Sequence, residues 1–148
     1  MRPPTWERTL TLLTATSDGR RAALTATTIR LACGIIFVVF GLGKFADHTS
    51  EAASFAKYGL PHPSTFAFMI GAVEVVFGVL LVTGFGTRIA ALVLAGDMVG
   101  AISTAGRVEG GALHLGLAPT LLVAMLVIVR LGPGARSLDG HLARRLLG

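Results

Sequence analysis

Two acidic side chains, Glu74 and Asp97, lie near the middles of two strongly apolar stretches of this 148-residue sequence. A charged group at bilayer depth is costly, and such residues usually face a bundle interior or a water-filled cavity, where they relay protons or bind ligands. Glu74 lies too far from either end of its stretch to reach the membrane surface, so we expect it to have a functional or essential pairing role. Two interpretations stay open for Asp97: a functional carboxylate, or a protonated and silent one.

Arg30 is the basic residue whose depth matches these carboxylates. Its long side chain predicts an interior ion pair with Glu74, with Asp97 close enough to compete or to share a proton. The alternative is structural, because an arginine in that position can also extend to the headgroups at the inner membrane surface. Catalytic residues cannot be named from this pattern. The candidate polar site inside the protein comprises Arg30, Glu74, Asp97, Lys44 and His114.

Lys44 and His114 are expected near the outer ends of the first and fourth apolar stretches. They predict a second polar cluster, to which His62 is a candidate member. Each also has a simpler interpretation: a lysine at a helix end anchors the membrane interface, and a histidine there is usually just hydrogen-bonded.

The composition indicates a membrane protein. Hydrophobic residues make up 53% and charged residues 14% of the chain, and the mean hydropathy is +0.73. These values are far from those of an ordinary soluble domain. The net charge of +5 comes from arginines that flank the apolar stretches, so no nucleic-acid partner is expected.

Four apolar stretches are long enough to cross a bilayer, which needs about 20 apolar residues in a helix. The fold class predicted is all-α, a four-helix transmembrane bundle. An N-terminal segment at 1–21 precedes the membrane domain at 22–131, and a basic tail follows at 132–148. The predicted spans are 22–45, 64–85, 88–104 and 111–131. Within the first segment, Thr5 to Thr16 is either a helix on the membrane surface or an unstructured tail, and Ser50 to Tyr58 is a candidate short helix over the outer face.

Basic residues are unevenly divided between the two sides of such a bundle. One side holds nine of them: Arg2, Arg8, Arg20, Arg21, Arg88, Arg130, Arg136, Arg144 and Arg145. The other side holds three, namely Lys44, Lys57 and Arg107. Because cytoplasmic ends carry the excess of lysine and arginine, both termini are predicted to be cytoplasmic. The basic N-terminal region is expected to stay attached as an anchor, since no small-residue cleavage site follows the first span.

Several chemistries have no support in the sequence. Cys33 is the only cysteine, which excludes a dithiol within the chain, and the four histidines lack the spacing of metal or haem ligands. No phosphate-binding loop, nucleophile elbow or zinc motif is present, so no metal site is expected. If electrons pass through this protein, a bound quinone or a partner subunit must carry them.

Glycines recur on the helix faces that carry the polar residues. In the first span they alternate with polar and aromatic residues at helical spacing, as Arg30-x3-Gly34-x2-Phe37-x3-Gly41-x2-Lys44. In the second span Gly71 and Gly78 flank Glu74. Small residues allow helices to approach closely, so these faces are expected to pack around a polar interior.

These motifs resemble the DoxX family of bacterial membrane proteins. The likeness covers about 22–139 and includes the first-span pattern, Gly59-x-Pro61, Glu74-x3-Gly78-x5-Gly84-x3-Arg88 and Gly132-Pro133-Gly134-x2-Ser137-Leu138-Asp139. The resemblance implies a four-helix membrane bundle with cytoplasmic ends. It also implies a link to redox chemistry, because the family is named for a subunit of a thiosulfate:quinone oxidoreductase and some members are linked to quinone or thiol stress.

The resulting prediction is a multi-pass protein of a bacterial inner membrane, acting as a membrane subunit in redox or oxidative-stress chemistry. A quinone or a sulfur compound is the candidate ligand of the interior site, and whether the chain is itself an enzyme stays open. Expected partners are the lipid bilayer, redox proteins in solution or in the membrane, and a second copy of the chain. The alternatives are a small proton-coupled transporter, with Glu74 and Asp97 as a relay, and a scaffold or assembly factor without a catalytic site.

Overall fold

The computed structural model describes residues 5–15 and 19–147. The prediction that counted Arg2 among the cytoplasmic basic residues therefore lies outside the described part of the chain. Within it the ordered elements are helical. In chain order they are α1 (Thr5–Thr14), α2 (Arg20–Ala46), α3 (His48–Lys57), α4 (Pro63–Thr83), α5 (Thr87–Ser103), α6 (Ala105–Val108), a π-helical segment (Leu113–Leu117), α7 (Ala118–Leu131) and α8 (Leu138–Leu147).

Among the described residues, four helical segments are long and apolar enough to cross a membrane: Arg20–Ala46, Pro63–Thr83, Thr87–Val108 and His114–Leu131. This confirms the predicted all-α bundle. Successive spans run in opposite directions, so α1, the α4–α5 turn and α8 lie at one end of the bundle, which we call the terminal face. Helices α3 and α6 lie at the other end, the opposite face. Which face meets the cytoplasm stays a prediction from the charge count.

Glycines set the close packing of α2 against α4. A Cβ at Gly34 would lie 2.9 Å from the carbonyl oxygen of Gly78, and one at Gly41 would lie 2.8 Å from that of Gly71. Real Cβ atoms do not approach a backbone oxygen so closely, so the two backbones touch at both levels. The glycines on the two predicted faces therefore meet in pairs, as expected for small residues between membrane helices.

The apolar core extends from the terminal face past the middle of the bundle, as far as the residues around Phe37 and Ala118. Helices α5 and α7 pack against each other there, and their buried side chains join those of α2 and α4. The largest fully buried apolar residues of this core are Phe37, Leu81, Leu94, Met125 and Ile128. This layer separates the polar residues of the two faces.

The segment after α7 folds back onto the terminal face. Gly134 has a φ of +76° and lies against α2, where a Cβ would be 2.8 Å from the Ala23 carbonyl oxygen. The Asp139 carboxylate then accepts hydrogen bonds from the backbone N–H groups of Gly86, at 2.7 Å, and Thr87, at 2.9 Å. These N–H groups belong to the first turn of α5 and have no partner within the helix, so Asp139 acts as its cap from a distant part of the chain.

Candidate functional site

An ion pair joins α2 to α4 inside the bundle. Lys44 Nζ lies 2.8 Å from Glu74 Oε2, and the side chains are 14% and 6% exposed. Glu74 lies about 16 Å from the start of α4 along the helix axis, so the ion pair is deep within the membrane span. A carboxylate at this depth is tolerable only because a cation lies in contact with it.

The direction of side chains on a helix explains why this pair forms. The Cα–Cβ bonds of an α-helix tilt toward its N-terminus. Lys44, near the end of α2, therefore extends back toward the middle of the bundle, and Glu74 on the antiparallel α4 extends toward Lys44. Gly71 makes room for the lysine stem, because a Cβ at Gly71 would lie 3.2 Å from Lys44 Cβ.

A cavity of about 100 Å³ lies beside the ion pair. We call it the interior cavity; its walls come from all four spans and are mostly apolar. The lining residues are Phe37, Phe40, Lys44, Glu74, Met98, Ala101, His114, Leu117, Ala118 and Leu121. An amine, a carboxylate and an imidazole thus share one small apolar chamber. Lys44 and His114, which the sequence predicts to form a polar cluster, both line this cavity, and Glu74 lines it with them. His62, the third candidate member, is exposed at the start of α4 and does not line the cavity.

His114 belongs to the π-helical segment Leu113–Leu117, which replaces the regular α-helix expected there. Pro119 follows in the first turn of α7 and has no backbone N–H to donate. π-helical turns widen a helix locally and are frequent at functional sites. Here the wider turn places both His114 and Leu117 on the wall of the interior cavity.

Asp97 is close to the ion pair but does not line the cavity. Its charge interacts with that of Lys44 and with that of Glu74. Its Oδ2 atom is buried and has no hydrogen-bond partner among the described residues. Lys44 thus interacts with the charges of two carboxylates and forms an ion pair with Glu74, which leaves both interpretations of Asp97 open.

The ion pair predicted between Arg30 and Glu74 is wrong. Arg30 is 1% exposed, and its Nη1 atom donates hydrogen bonds to the carbonyl oxygens of Leu81 and, at 2.8 Å, Val82. Arg30 extends toward the N-terminus of α2, away from Glu74, for the same geometric reason that brings Lys44 toward it. The last carbonyls of a helix lack partners within it and carry partial negative charge, so a buried guanidinium is stabilised there.

Arg30 is therefore part of the terminal face and not of the interior cavity. It lies beside Gly84, where a Cβ would be 2.7 Å from Arg30 Nη1, and its charge is attracted by that of Asp139. Gly84, Arg30 and Asp139 together hold the α4–α5 turn against the folded-back tail. The motifs around them have a structural explanation that needs no ligand.

A polar group on the opposite face adjoins the interior cavity. His114 Nδ1 lies 3.9 Å from Glu109 Oε2, which is too far for a hydrogen bond and close enough for attraction when the imidazole is protonated. Burial, together with a hydrogen bond to the Glu109 carboxylate, raises the pKa of the Tyr58 phenol to about 12. Tyr58 and Glu109 were not predicted from the sequence, because loop residues on separate connections carry no periodic signal.

One sequence signal for the true partner of Glu74 does exist. Lys44 follows Gly41, and Glu74 follows Gly71, by the same three residues. Because Gly41 and Gly71 are in contact, residues three positions further along two antiparallel helices point toward each other's helix. Within the described residues, no group of three side chains suited to hold a metal ion is found.

Comparison with known proteins agrees with this architecture. The sequence model of the DoxX family matches residues 25–107. An "Uncharacterized membrane protein Rv3486" from Mycobacterium tuberculosis is 34% identical over 131 residues, covering 79% of this chain and 80% of that protein.

A Bacillus subtilis protein named "Putative oxidoreductase CatD" is 41% identical over 76 residues, covering 51% of this chain and 55% of that protein. No solved structure matches the chain. The family match over more than half of the sequence, and the similarity to Rv3486 along most of both proteins, lead to one conclusion. The chain is a multi-pass membrane protein that belongs to the DoxX family.

Proposed function

We propose that the interior cavity binds the head of a quinone, and that the chain is a membrane subunit in redox or oxidative-stress chemistry. The observation that carries the proposal is the Lys44–Glu74 ion pair on the wall of an otherwise apolar chamber at bilayer depth. A pair that served packing alone would need no space beside it, whereas a ligand-binding pair does.

The chemistry of the lining suits a small planar molecule with carbonyl oxygens. The Lys44 ammonium and the His114 imidazole are hydrogen-bond donors, and the rings of Phe37 and Phe40 offer aromatic surface for contact. Phe40 is also 37% exposed on the outside of the bundle. A lipid-soluble tail would leave the cavity past this residue and enter the bilayer.

The residues have distinct roles in this proposal. Lys44 orients a carbonyl oxygen, and Glu74, held against Lys44, accepts or releases a proton at its carboxylate. His114 exchanges that proton with the opposite face through Glu109. A bound quinone would supply the electron-carrying capacity that the chain, with its single cysteine, lacks. A small sulfur anion is the other ligand that Lys44 would attract.

Similarity to CatD supports a redox role, because that relative is named a putative oxidoreductase. The proposed location is a bacterial inner membrane with the terminal face in the cytoplasm, where the excess of arginines lies. Redox proteins on either side are the proposed partners.

The two alternatives make different demands on the structure. A proton-coupled transporter needs a path to both faces, and the buried apolar residues Leu81, Met125 and Ile128 lie between the interior cavity and the terminal face. A scaffold without a site requires only that the charges be paired. Under that alternative, exchanging the charges as Lys44→Glu with Glu74→Lys preserves function.

The test is complementation of a deletion strain exposed to a toxic quinone or a thiol oxidant. Glu74→Gln at equal membrane abundance is expected to lose resistance, whereas Asp47→Asn, which removes an exposed carboxylate outside the cavity, is expected to keep it. Unchanged resistance in Glu74→Gln would refute the site. Restored resistance in the charge-exchanged double variant would favour the scaffold.

A further inference from the structure

A second cavity, larger than the interior cavity, lies at the terminal face. Its volume is about 220 Å³, and it separates α1 and α8 from the first turn of α5. We call it the terminal cavity. Its walls are mainly apolar: Leu13 from α1, Phe85 and Ile89 around the start of α5, and Leu142, Ala143 and Leu146 from α8. None of these residues takes part in the interior cavity, so the two are separate.

Arg88 gives the terminal cavity its one cationic group. Its Nη2 atom donates a hydrogen bond to the Ala15 carbonyl oxygen at 2.9 Å. Its Nε atom is buried and has no hydrogen-bond partner among the described residues. A buried guanidinium N–H without an acceptor is unfavourable, and the preferred acceptor is an anionic oxygen.

Among the described residues that line the terminal cavity, the one carboxylate does not meet this need. Asp139 also lines the terminal cavity, but both of its oxygens accept hydrogen bonds from the backbone of Gly86 and Thr87. No ion pair between Arg88 and an acidic residue occurs within 5–15 and 19–147. The guanidinium charge is thus available to a ligand.

The position of the terminal cavity indicates what that ligand is. The cavity lies where α5 begins, at the boundary between the hydrocarbon and the headgroups, and Phe85 and Ile89 are about half exposed toward the bilayer. Helices α1 and α8 lie against each other beside it. Described exposed arginines surround this face: Arg20, Arg21, Arg130, Arg136, Arg144 and Arg145. An anionic molecule with an apolar tail, drawn from the adjacent leaflet, complements both the charge and the walls.

We propose that the terminal cavity is a binding site for one anionic phospholipid. The phosphate accepts the free N–H of Arg88, and part of one acyl chain occupies the space between α1, α8 and Ile89. Binding the lipid would fasten α1 and α8 to the bundle, because both helices form its walls. This proposal is independent of the quinone proposal, since it uses different residues at the other end of the protein.

The experiment is native mass spectrometry of the purified full chain in detergent, titrated separately with dioleoylphosphatidylglycerol, dioleoylphosphatidylcholine and inorganic phosphate. The expected result is one tightly bound phosphatidylglycerol, with about tenfold weaker binding of phosphatidylcholine. Inorganic phosphate is expected neither to bind nor to compete, because it lacks the apolar chain.

Variants test the Arg88 guanidinium and the apolar space of the terminal cavity separately. Arg88→Gln is expected to weaken phosphatidylglycerol binding about tenfold, whereas Arg88→Lys keeps most of it and Arg130→Gln, the matched control, leaves it unchanged. Ala143→Trp fills the cavity, leaves Arg88 in place and is expected to abolish the tight binding event. This second variant tests the proposal even if Arg88→Gln does not fold.

Three results would overturn the proposal. Equal binding of the two phospholipids would remove the role of Arg88, and equal losses in Arg88→Gln and Arg130→Gln would show only general attraction by a basic face. Unchanged binding in Ala143→Trp would show that the lipid lies elsewhere on the surface.

Discussion

Lys44 Nζ and Glu74 Oε2 are 2.8 Å apart at the crossing of α2 and α4, three residues beyond the glycines at which the two backbones touch. The close approach at Gly41 and Gly71 brings the helix axes near enough for two side chains to meet. The pair is therefore a product of the helix packing as much as of the charges. The interior cavity lies directly beside the pair.

Breaking this pair from one side should destabilise the protein. Glu74→Gln or Lys44→Met leaves one buried polar group without its partner, and we expect a loss of about 3 kcal/mol in unfolding free energy from each. The double variant should lose less than the sum of the two, with a coupling of about 1–3 kcal/mol. Unfolding by denaturing detergent in mixed micelles measures all three. Additive losses would show that the two groups do not interact.

Arg30 should matter for stability and not for ligand binding. Arg30→Met removes the guanidinium donor from the carbonyl oxygens of Leu81 and Val82, of which Leu81 keeps the Gly84 N–H, and is expected to cost about 2–4 kcal/mol. Quinone affinity of the folded fraction should equal that of the unsubstituted protein. A stable Arg30→Met protein that no longer binds quinone would instead restore the original assignment of Arg30 to the interior site.

Two glycines of α2 should respond to alanine with opposite signs. A Cβ at Gly34 would lie 2.8 Å from Val82 Cγ2 and 2.9 Å from the Gly78 carbonyl oxygen. Gly34→Ala therefore forces α2 and α4 apart and should lower the unfolding free energy of the bundle by about 1–3 kcal/mol. A Cβ at Gly43 meets nothing within 4 Å, so Gly43→Ala should stabilise the same helix by up to about 1 kcal/mol. The comparison uses unfolding midpoints in one detergent. Equal responses would contradict the close helix crossing.

The titration of Tyr58 tests the arrangement of the opposite face. Tyr58 is the single tyrosine, so absorbance near 295 nm reports its ionisation alone. The midpoint is expected at about pH 12, against an ordinary pKa of about 10. Because the folded state keeps this proton longer than the unfolded state, the stabilisation is complete below pH 10 and is lost as the pH rises toward 12.

Glu109→Gln is the matched variant for this titration. It removes the negative charge beside the phenol and should lower the midpoint, leaving the part of the shift that burial causes. A midpoint near pH 10 in the unsubstituted protein would show that Tyr58 is solvated and that α3 does not pack near Glu109.

The sequence was sufficient for the class of fold and for the three polar residues that line the interior cavity, Lys44, Glu74 and His114. Long apolar runs bounded by arginines predict membrane helices directly, and the structure has four such spans. Glycine spacing predicted which faces of α2 and α4 would meet. These features are local or periodic, so they can be recognised in one chain without a structure.

The pairing of the polar residues was not predictable in the same way. Depth along the helix favours Arg30 as the partner of Glu74. Depth alone ignores that each side chain extends toward the N-terminus of its own helix, and this direction carries Arg30 away from Glu74. Lys44, near the end of its span, is a candidate both for the interior site and for an interface anchor, but its position alone does not pair it with Glu74. The contact of Asp139 with Thr87 joins residues 52 positions apart, and the π-helical turn at His114 has no periodic pattern that predicts it.

The most direct test of the interior cavity is equilibrium binding of a radiolabelled short-tailed benzoquinone to the purified protein, compared with Glu74→Gln and Leu121→Trp. We expect saturable binding by the unsubstituted protein, about tenfold weaker binding by Glu74→Gln, and none by Leu121→Trp, whose indole fills the cavity. Absence of saturable binding by the unsubstituted protein, or equal affinity in all three, would contradict the proposal that this cavity is a quinone site.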